Sequence, residues 1–166
     1  RPADGDAVWE LARSVASPDI LGRQVAPVLL QHFADTSLVA EAEGRVVGFV
    51  GAYRPSTNPS SLFVWEIDVE PMLRRQGLGT RLLHALIQCP GCAGIDDLHL
   101  TVGVSNLAAK RLFEAFARDL DATCQVIDDS SPKRSETMHH ERKELLRIGP
   151  IRIERALRRE RPNEAF

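Results

Sequence analysis

The feature that most constrains this chain is a glycine turn, residues 74–79, between a segment of alternating apolar residues and a segment of helical periodicity. Residues 62–69 alternate as a strand does, and the leucines of residues 82–87 recur at helical spacing. Gly77 and Gly79 let backbone amides approach a ligand closely, and the helix adds the positive end of its dipole. The segment therefore predicts either a diphosphate site or a plain strand-to-helix turn.

Two arginines, Arg74 and Arg75, add positive charge to the glycine turn, which suits the several acceptor oxygens of a diphosphate. The spacing of the glycines is neither that of a P-loop nor that of a Rossmann dinucleotide fingerprint. Nucleoside triphosphates and dinucleotides are therefore disfavoured as ligands.

Composition bounds the class of protein. A chain of 166 residues that is 43% hydrophobic suits one compact domain, which we assign to residues 1–150. Residues 151–166, with five arginines, form a surface helix or tail. The net charge of −2 disfavours nucleic acid as a partner, and no apolar run approaches the roughly 20 residues that cross a membrane.

The number of cysteines and the first residue bear on the cellular compartment of the protein and on whether the sequence is part of a longer polypeptide. Three cysteines, an odd number, indicate free thiols in a reducing compartment, so we expect a soluble cytoplasmic protein. The sequence opens on Arg1 rather than on a methionine. We therefore expect it to begin inside a longer polypeptide, with a first strand upstream.

Periodicity and turn residues predict the other elements. Asp4 and Asp6 can cap a first helix, a second helix at residues 23–33 must take Pro27 in its first turn or kink there, and Ser105 caps a later helix. The predicted strands are residues 36–43, 45–53, 62–69, 97–102, 123–127 and 143–148, the last of which closes the sheet. Hairpin strands followed by strand-helix-strand units predict a mixed α/β sheet.

The pattern Arg74-x-x-Gly77-x-Gly79 resembles the Arg/Gln-x-x-Gly-x-Gly/Ala signature of the GNAT acetyltransferases. The resemblance implies a mixed, mostly antiparallel central sheet flanked by helices, in which the signature follows the fourth strand of the family, here residues 62–69. It implies acetyl-CoA as co-substrate, with the pyrophosphate on the amides of the turn and Asn106 near the thiol end. The implied coenzyme contacts are Ile67, Val69, Arg74, Arg75, Gln76, Gly77, Leu78, Gly79, Thr80 and Asn106.

A narrower resemblance covers nearly the whole chain. Residues 32–37, 48–50, 62–65, 105–106, 140–141 and 147–150 are similar to the L-2,4-diaminobutyrate acetyltransferases of ectoine biosynthesis. The Phe-Val-Trp of residues 63–65 and the Arg-Ile-Gly-Pro of residues 147–150 are the most distinctive matches. This resemblance implies acetyl transfer to the γ-amine of L-2,4-diaminobutyrate by a homodimer.

The reaction needs a group that accepts a proton from the amine and donors for the thioester oxygen. Glu66, on the strand that enters the glycine turn, is one candidate base and is otherwise a solvent-facing carboxylate. His99 is another candidate and is otherwise a hydrogen-bonded strand histidine; an ordered water is the third possibility. Backbone N–H groups of Ile67 and Val69 can polarise the carbonyl if the strand bulges there.

Three residues match positions that hold substrate in the narrower family. Asp19 and Glu141 supply negative charge for a diamine, and Trp65 supplies a cation–π face or a wall. The alternatives are helix capping for Asp19, core packing for Trp65 and a solvated charged edge for Glu141.

The chain also departs from that family. Residues 21–26 lack its two tyrosines and its asparagine, and Phe113 stands where many GNAT enzymes have a tyrosine acid. These departures keep open a different small amine as substrate, or a non-catalytic acyl-CoA-binding module. Cys89 and Cys92 have metal-ligand spacing but no second pair follows, and no covalent intermediate is needed, so we expect no metal and a packing role for Cys124.

Overall fold

The computed structural model describes residues 2–15, 25–128 and 142–152. The helices are α1 Gly5–Ser14, α2 Val25–His32, α3 Leu78–Ile87 and α4 Leu107–Asp119. The strands are β1 Ser37–Ala42, β2 Arg45–Tyr53, β3 Ser61–Val69, β4 Asp97–Gly103, β5 Thr123–Asp128 and β6 Lys143–Gly149. The order of helices and strands predicted from the sequence is confirmed. No helix in the described residues is both long and apolar enough to cross a membrane.

The six strands form one sheet in the order β1-β2-β3-β4-β6-β5. The pairs β1/β2, β4/β6 and β5/β6 are antiparallel. The predicted mixed, mostly antiparallel sheet with flanking helices is therefore confirmed. The last strand does not lie at the edge, however, because β6 pairs with β4 on one side and with β5 on the other.

The chain divides into two compact units, and the first comprises Arg1–Arg54 and Val64–Ala93. Its core gathers Val8 and Leu11 of α1, Leu30 of α2 and Phe49 of β2. The β1–β2 hairpin turns at Glu43 and Gly44, which both have positive φ, as a type I′ turn requires.

Two details of the first unit concern the predicted helices. Pro27 is the third residue of α2, so it lies in the first turn, where the missing N–H costs no hydrogen bond. Asp4 is the N-cap residue of α1, as predicted, but its side chain makes no capping hydrogen bond.

The second unit comprises Pro55–Phe63 and Gly94–Phe166. Alternate residues of β4 are buried, and α4 buries Phe113 and Phe116. Lys110 of α4 pairs with Glu144 of β6 across 2.7 Å, which fixes the helix against that strand. This unit carries His99 on β4 and Asn106 at the start of α4.

Candidate functional site

After β3 the chain forms a short 3-10 helix, Pro71–Leu73. The glycine turn follows it and leads into α3. Gly77 precedes α3 with a left-handed φ of 81°. A Cβ atom at Gly77 would meet no atom within 4 Å, so the backbone conformation, rather than a lack of space, favours glycine. No side chain caps α3. The first N–H groups of the helix, which have no intrahelical acceptor, can therefore serve a ligand.

Two side chains of the signature hold the turn itself. Arg74 donates from Nε to the carbonyl oxygen of Val69 across 3.1 Å, and Gln76 donates from Nε2 to the carbonyl oxygen of Met72 across 3.0 Å. Arg75 is exposed and has a φ of 61°, which is uncommon for a residue with a side chain. An uncapped helix start, a glycine before it and exposed guanidinium charge together fit a diphosphate.

The two faces of strand β3 differ in how deeply their side chains are buried. Leu62, Val64 and Asp68 are buried, whereas the other face, which includes Trp65 and Ile67, is half-buried. The sequence placed the apolar residues from Phe63 onward on one face, but the opposite face is the more buried one. Glu66 is half-buried on that opposite face. Because neighbouring strand residues point to opposite faces, Trp65 and Glu66 cannot line the same side of a regular strand.

Trp65 packs against the core of the first unit. Its ring lies 5.5 Å from that of Phe49, centroid to centroid, at an interplanar angle of 56°. The indole also borders the cluster of Val8, Leu11 and Leu30. Trp65 Nε1 is buried without a hydrogen-bond partner in the described part of the chain. The structure therefore shows Trp65 packed in the core, which was the alternative to a role in substrate binding. In addition, the indole N–H has no hydrogen-bond partner in the described residues.

Asp68 was not selected from the sequence. The residue is 7% exposed, and its Oδ2 has no hydrogen-bond partner among the described residues. Burial raises the pKa of Asp68 from 3.8 to about 6, against the opposing charge of Arg74. Its position in the alternating pattern puts Asp68 on the same face of β3 as the apolar Leu62 and Val64, and this is the signal in the sequence that bears on it. A buried carboxyl with a pKa raised towards neutrality is typical of functional sites, and this one lies next to the glycine turn.

In the second unit, His99 lies beside a buried carboxyl. His99 Nε2 is 3.2 Å from Asp97 Oδ1, close enough for an ion pair but without hydrogen-bond geometry. Ser61 donates from its hydroxyl to the same oxygen, and Arg147 donates from Nε to Asp97 Oδ2 across 2.8 Å. Burial raises the pKa of Asp97, but the Ser61 and Arg147 hydrogen bonds and the nearby His99 and Arg147 charges outweigh burial and lower it. The arrangement favours a structural strand histidine.

Asn106, predicted to approach the thiol end of the coenzyme, is the residue that caps α4. Its Oδ1 accepts a hydrogen bond from the N–H of Ala109 across 3.0 Å. The predicted cap at Ser105 is therefore wrong by one residue. Phe113, at the position of the family tyrosine, is 3% exposed and belongs to the core of the second unit.

The three cysteines have raised thiol pKa values. Burial and the charge of Cys89 raise the pKa of Cys92 to about 12, against the opposing charge of Arg54. Burial raises the pKa of Cys89, helped by the charge of Asp35, and that of Cys124, helped by Glu114. All three are free thiols, and no group of three or more metal-ligating side chains gathers in the described residues.

Three predicted positions on the amine side lie outside the described residues: Asp19, the pair at residues 140–141 with Glu141, and most of the departing segment, residues 21–24. Of the predicted site, the structure places Trp65, Glu66 and the glycine turn in the first unit, and His99 and Asn106 in the second.

Comparison with known proteins gives a consistent result. A family model described as "Acetyltransferase (GNAT) family" matches residues 6–117. The L-2,4-diaminobutyric acid acetyltransferase of Virgibacillus pantothenticus is 36% identical over 149 residues, which are 90% of this chain and 94% of that protein.

Solved structures agree with the sequence comparison. The diaminobutyrate acetyltransferase EctA from Paenibacillus lautus, in complex with L-2,4-diaminobutyric acid and coenzyme A, superposes with a TM-score of 0.85. It is 35% identical, and the match covers 90% of this chain and 91% of that one. Ard1 from Thermoplasma volcanium, 18% identical with a TM-score of 0.72 over 90% of this chain and 93% of its own, shares the fold.

Proposed function

Because the chain belongs to the GNAT acetyltransferase family and, within it, to the L-2,4-diaminobutyric acid acetyltransferases, we propose that it acetylates the γ-amine of L-2,4-diaminobutyrate from acetyl-CoA. The products are 4-acetamido-2-aminobutanoate and CoA, and the reaction is a step of ectoine biosynthesis. The observation that carries the proposal is similarity over 90% of the chain to an enzyme solved with both diaminobutyrate and coenzyme A.

The glycine turn is proposed to hold the coenzyme by its diphosphate. The N–H groups of residues 78–80 lie in the first turn of α3, where they have no intrahelical acceptor. The exposed Arg75 adds charge, while Arg74 and Gln76 keep the turn in place through the carbonyls of Val69 and Met72. Asn106 is assigned to the thiol end by the family resemblance.

When bound, acetyl-CoA supplies the thioester carbonyl that accepts the amine. The amine nitrogen forms a bond to that carbon, one proton leaves the nitrogen, and the coenzyme departs as a thiolate. Backbone N–H groups of Ile67 and Val69 are proposed to polarise the carbonyl oxygen. A thiolate whose unperturbed pKa is about 8.5 leaves without a phenol, which agrees with Phe113 in place of a tyrosine.

The amine needs a proton acceptor, for which Glu66, His99 and an ordered water are the candidates. Glu66 lies on the opposite face of β3 from Trp65, so the two side chains serve the same amine only where the strand departs from regular geometry. Glu66→Gln distinguishes these cases. A fall in kcat of about 100-fold identifies Glu66, because general bases contribute about 100- to 10,000-fold, and an unchanged kcat leaves His99 or water as the acceptor.

Trp65, Asp19 and Glu141 are proposed to hold the diamine, the two carboxylates by attraction of its ammonium group. A homodimer in the cytoplasm stays a prediction that rests on the family resemblance and the cysteine count. Light scattering after size-exclusion chromatography measures the oligomeric state directly.

The experiment is a thiol-release assay with acetyl-CoA across diaminobutyrate, ornithine, lysine, polyamines and peptide N-termini. Release of CoA that depends on diaminobutyrate supports the proposal. Release with another amine alone would assign a different substrate, as the altered residues 21–26 would allow. Coenzyme binding without release for any amine would indicate a non-catalytic acyl-CoA-binding module.

A further inference from the structure

Residues 89–92, with the sequence Cys-Pro-Gly-Cys, form a tight turn shortly after α3. Cys89 precedes a short 3-10 helix, Pro90–Cys92, and the N–H of Cys92 donates to the carbonyl oxygen of Cys89 across 2.8 Å. A turn closed in this way holds its first and fourth Cα atoms less than about 7 Å apart. A disulfide spans about 4.4 to 6.8 Å between Cα atoms, so the backbone brings the two cysteines to a separation that a disulfide can bridge.

Contacts from two other segments hold this turn in place. Arg54, the residue after β2, donates from Nε to the carbonyl oxygen of Gly91 across 2.8 Å and from Nη2 to that of Ala93. A Cβ atom at Gly91 would stand 2.5 Å from the carbonyl oxygen of Asp35, so the turn packs closely against the backbone there. Pro90 restricts φ at the second position of the turn. The separation of the two cysteines is therefore maintained by the fold as well as by their spacing in the sequence.

The two cysteines are free thiols that differ in exposure. Cys92 is fully buried, whereas Cys89 is half-buried. Cys89 Sγ donates to the carbonyl oxygen of Ala85 across 3.6 Å. The sulfurs are close enough to interact, because burial and the charge of Cys89 together raise the pKa of Cys92. A small reagent therefore reaches Cys89 first, and Cys92 is the thiol beside it that can complete a disulfide.

The surroundings of Cys89 differ from those of a rapidly exchanging thiol. Reactive cysteines often lie at the start of a helix, whose positive end lowers the thiol pKa. Cys89 instead follows the last residues of α3, where the carbonyl groups form the negative end of the helix dipole. Burial raises the pKa of Cys89, helped by the charge of Asp35. A thiol that is not stabilised as thiolate reacts slowly, but its disulfide is harder to reduce.

We infer that Cys89 and Cys92 are a reversible dithiol–disulfide pair, which closes by exchange with a small disulfide such as oxidised glutathione. The Cys89 thiolate attacks one sulfur of the reagent, forms a mixed disulfide and releases one glutathione. The Cys92 thiolate then attacks Cys89 Sγ and displaces the second glutathione. Two protein thiols are oxidised, one glutathione disulfide is reduced, and the two protons pass to the two glutathione thiols released. This pair is independent of the proposed function, because it needs neither acetyl-CoA nor an amine.

The first test counts thiols after incubation of the folded protein with oxidised glutathione. The chain has three cysteines, so one free thiol should remain when the oxidised protein is unfolded and titrated with a thiol reagent. Mass spectrometry should show a loss of about 2 Da and no attached glutathione, as closure of an internal disulfide requires. Three remaining thiols, a stable glutathione adduct or a disulfide-linked dimer would overturn the inference.

Cys124→Ser is the matched control, because Cys124 is also a half-buried free thiol whose pKa is raised by burial. This variant should still close the disulfide and end with no free thiol. Cys92→Ser should instead retain one glutathione on Cys89, because the second step has lost its nucleophile. If Cys92→Ser does not fold, Cys89→Ser replaces it and should form no internal disulfide. Loss of closure in Cys124→Ser would assign the disulfide to another pair.

The second test measures whether the fold itself favours closure. The equilibrium constant for disulfide formation in a glutathione buffer is compared between the folded protein and the protein unfolded in urea. The folded chain should favour the disulfide about 10- to 30-fold more, the loop-closure entropy of a four-residue ring. By reciprocity, the oxidised protein should unfold with an equilibrium constant lower by the same factor than that of the reduced protein. Equal constants in the folded and unfolded protein would show that the turn does not prearrange the thiols, which would overturn the inference.

Discussion

Two carboxyls, Asp68 near the end of β3 and Asp97 at the start of β4, are each 7% exposed, yet their pKa values shift in opposite directions. Asp97 accepts hydrogen bonds from Ser61 and Arg147, and its pKa lies below the ordinary value although burial raises it. Asp68 Oδ2 has no partner in the described residues, and burial raises its pKa to about 6. At Asp97 the hydrogen bonds and positive charges outweigh the effect of burial on the pKa, whereas at Asp68 burial outweighs the charge of Arg74.

The backbone and the polar groups near the two carboxyls also differ. The end of β3 leads into the glycine turn, where Arg75 and Gly77 have positive φ and the helix start has no side-chain cap. Strained backbone and unpaired polar groups are concentrated at functional sites. At the start of β4, the hydrogen bond from Arg147 to Asp97 joins β4 to β6, as expected for a structural anchor, although His99 Nε2 beside it has no hydrogen-bond partner among the described residues.

The largest effect is expected for Asp97→Ala. Removal of the carboxylate leaves the Ser61 hydroxyl and the Arg147 guanidinium without their acceptor, at a cost of about 2 to 4 kcal/mol of unfolding free energy. Urea unfolding at pH 7 measures the loss. Asp97→Asn, which keeps an acceptor oxygen, is the control and should lose less. If alanine and asparagine are equally well tolerated, the region around β4 is not the anchor that the contrast requires.

Asp68→Asn, in contrast to Asp97→Ala, should increase the free energy of unfolding. Because the folded-state pKa of Asp68, about 6, lies above its ordinary 3.8, the folded protein binds the proton more tightly than the unfolded chain does. The cost of ionisation is absent below pH 3.8, grows through this window and is fully present above pH 6. The asparagine variant should therefore be more stable than wild type at pH 8, by up to about 3 kcal/mol.

The control for Asp68→Asn is the same measurement at low pH, where Asp68 of the wild type is neutral. The variant and the wild type should then be nearly equally stable, because neither carries a buried charge at this position. A difference in urea unfolding that is the same at both pH values would mean that buried charge is not what distinguishes Asp68 from Asp97.

A smaller effect is expected for Gly77→Ala in the glycine turn. A Cβ atom at left-handed φ costs about 1 to 2 kcal/mol, so the KM for acetyl-CoA should rise about 10-fold with kcat little changed. Gly44→Ala is a matched control, because Gly44 also has positive φ and open space but lies in the β1–β2 hairpin. Equal effects of the two substitutions on KM would argue against a coenzyme role for the turn.

The smallest effect is expected for His99→Gln. A structural histidine beside Asp97 can be replaced by another donor, so kcat should stay within about threefold, less than about 1 kcal/mol of activation free energy. Steady-state kinetics with saturating diaminobutyrate measures it. A fall of about 100-fold would make His99 the base and would give the start of β4 a catalytic role.

Local patterns predicted much of the fold. The alternation of residues 62–69, the leucines of α3 and the Glu43–Gly44 turn each specify an element through its own periodicity or backbone conformation. The cap of α4 was misplaced by one residue because Ser105 and Asn106 are both good N-cap residues, and helix boundaries vary by one or two positions. Asp68 was missed because alternation separates the two faces of a strand without showing which face is buried.

Non-local features could not be predicted from these patterns. The insertion of β6 between β4 and β5, and the contact of Ser61 with Asp97, 36 positions later, depend on long-range pairing rather than on local propensity. At the site, the spacing of the glycines predicted a turn between β3 and α3, and its coenzyme role stays a prediction. The unpaired Trp65 N–H and the hydrogen bonds to Asp97 beside His99 could be found only from side-chain positions. The roles of Asp19 and Glu141, outside the described residues, stay predictions.

The most direct test of the proposed function is the identity of the product formed from acetyl-CoA and L-2,4-diaminobutyrate. Proton NMR of the reaction, with CoA release followed in the same sample, shows which nitrogen carries the acetyl group. We predict one CoA per diaminobutyrate consumed and an acetyl group on the γ-nitrogen. Acetylation of the α-nitrogen, or CoA release that does not depend on diaminobutyrate, would contradict the proposed function.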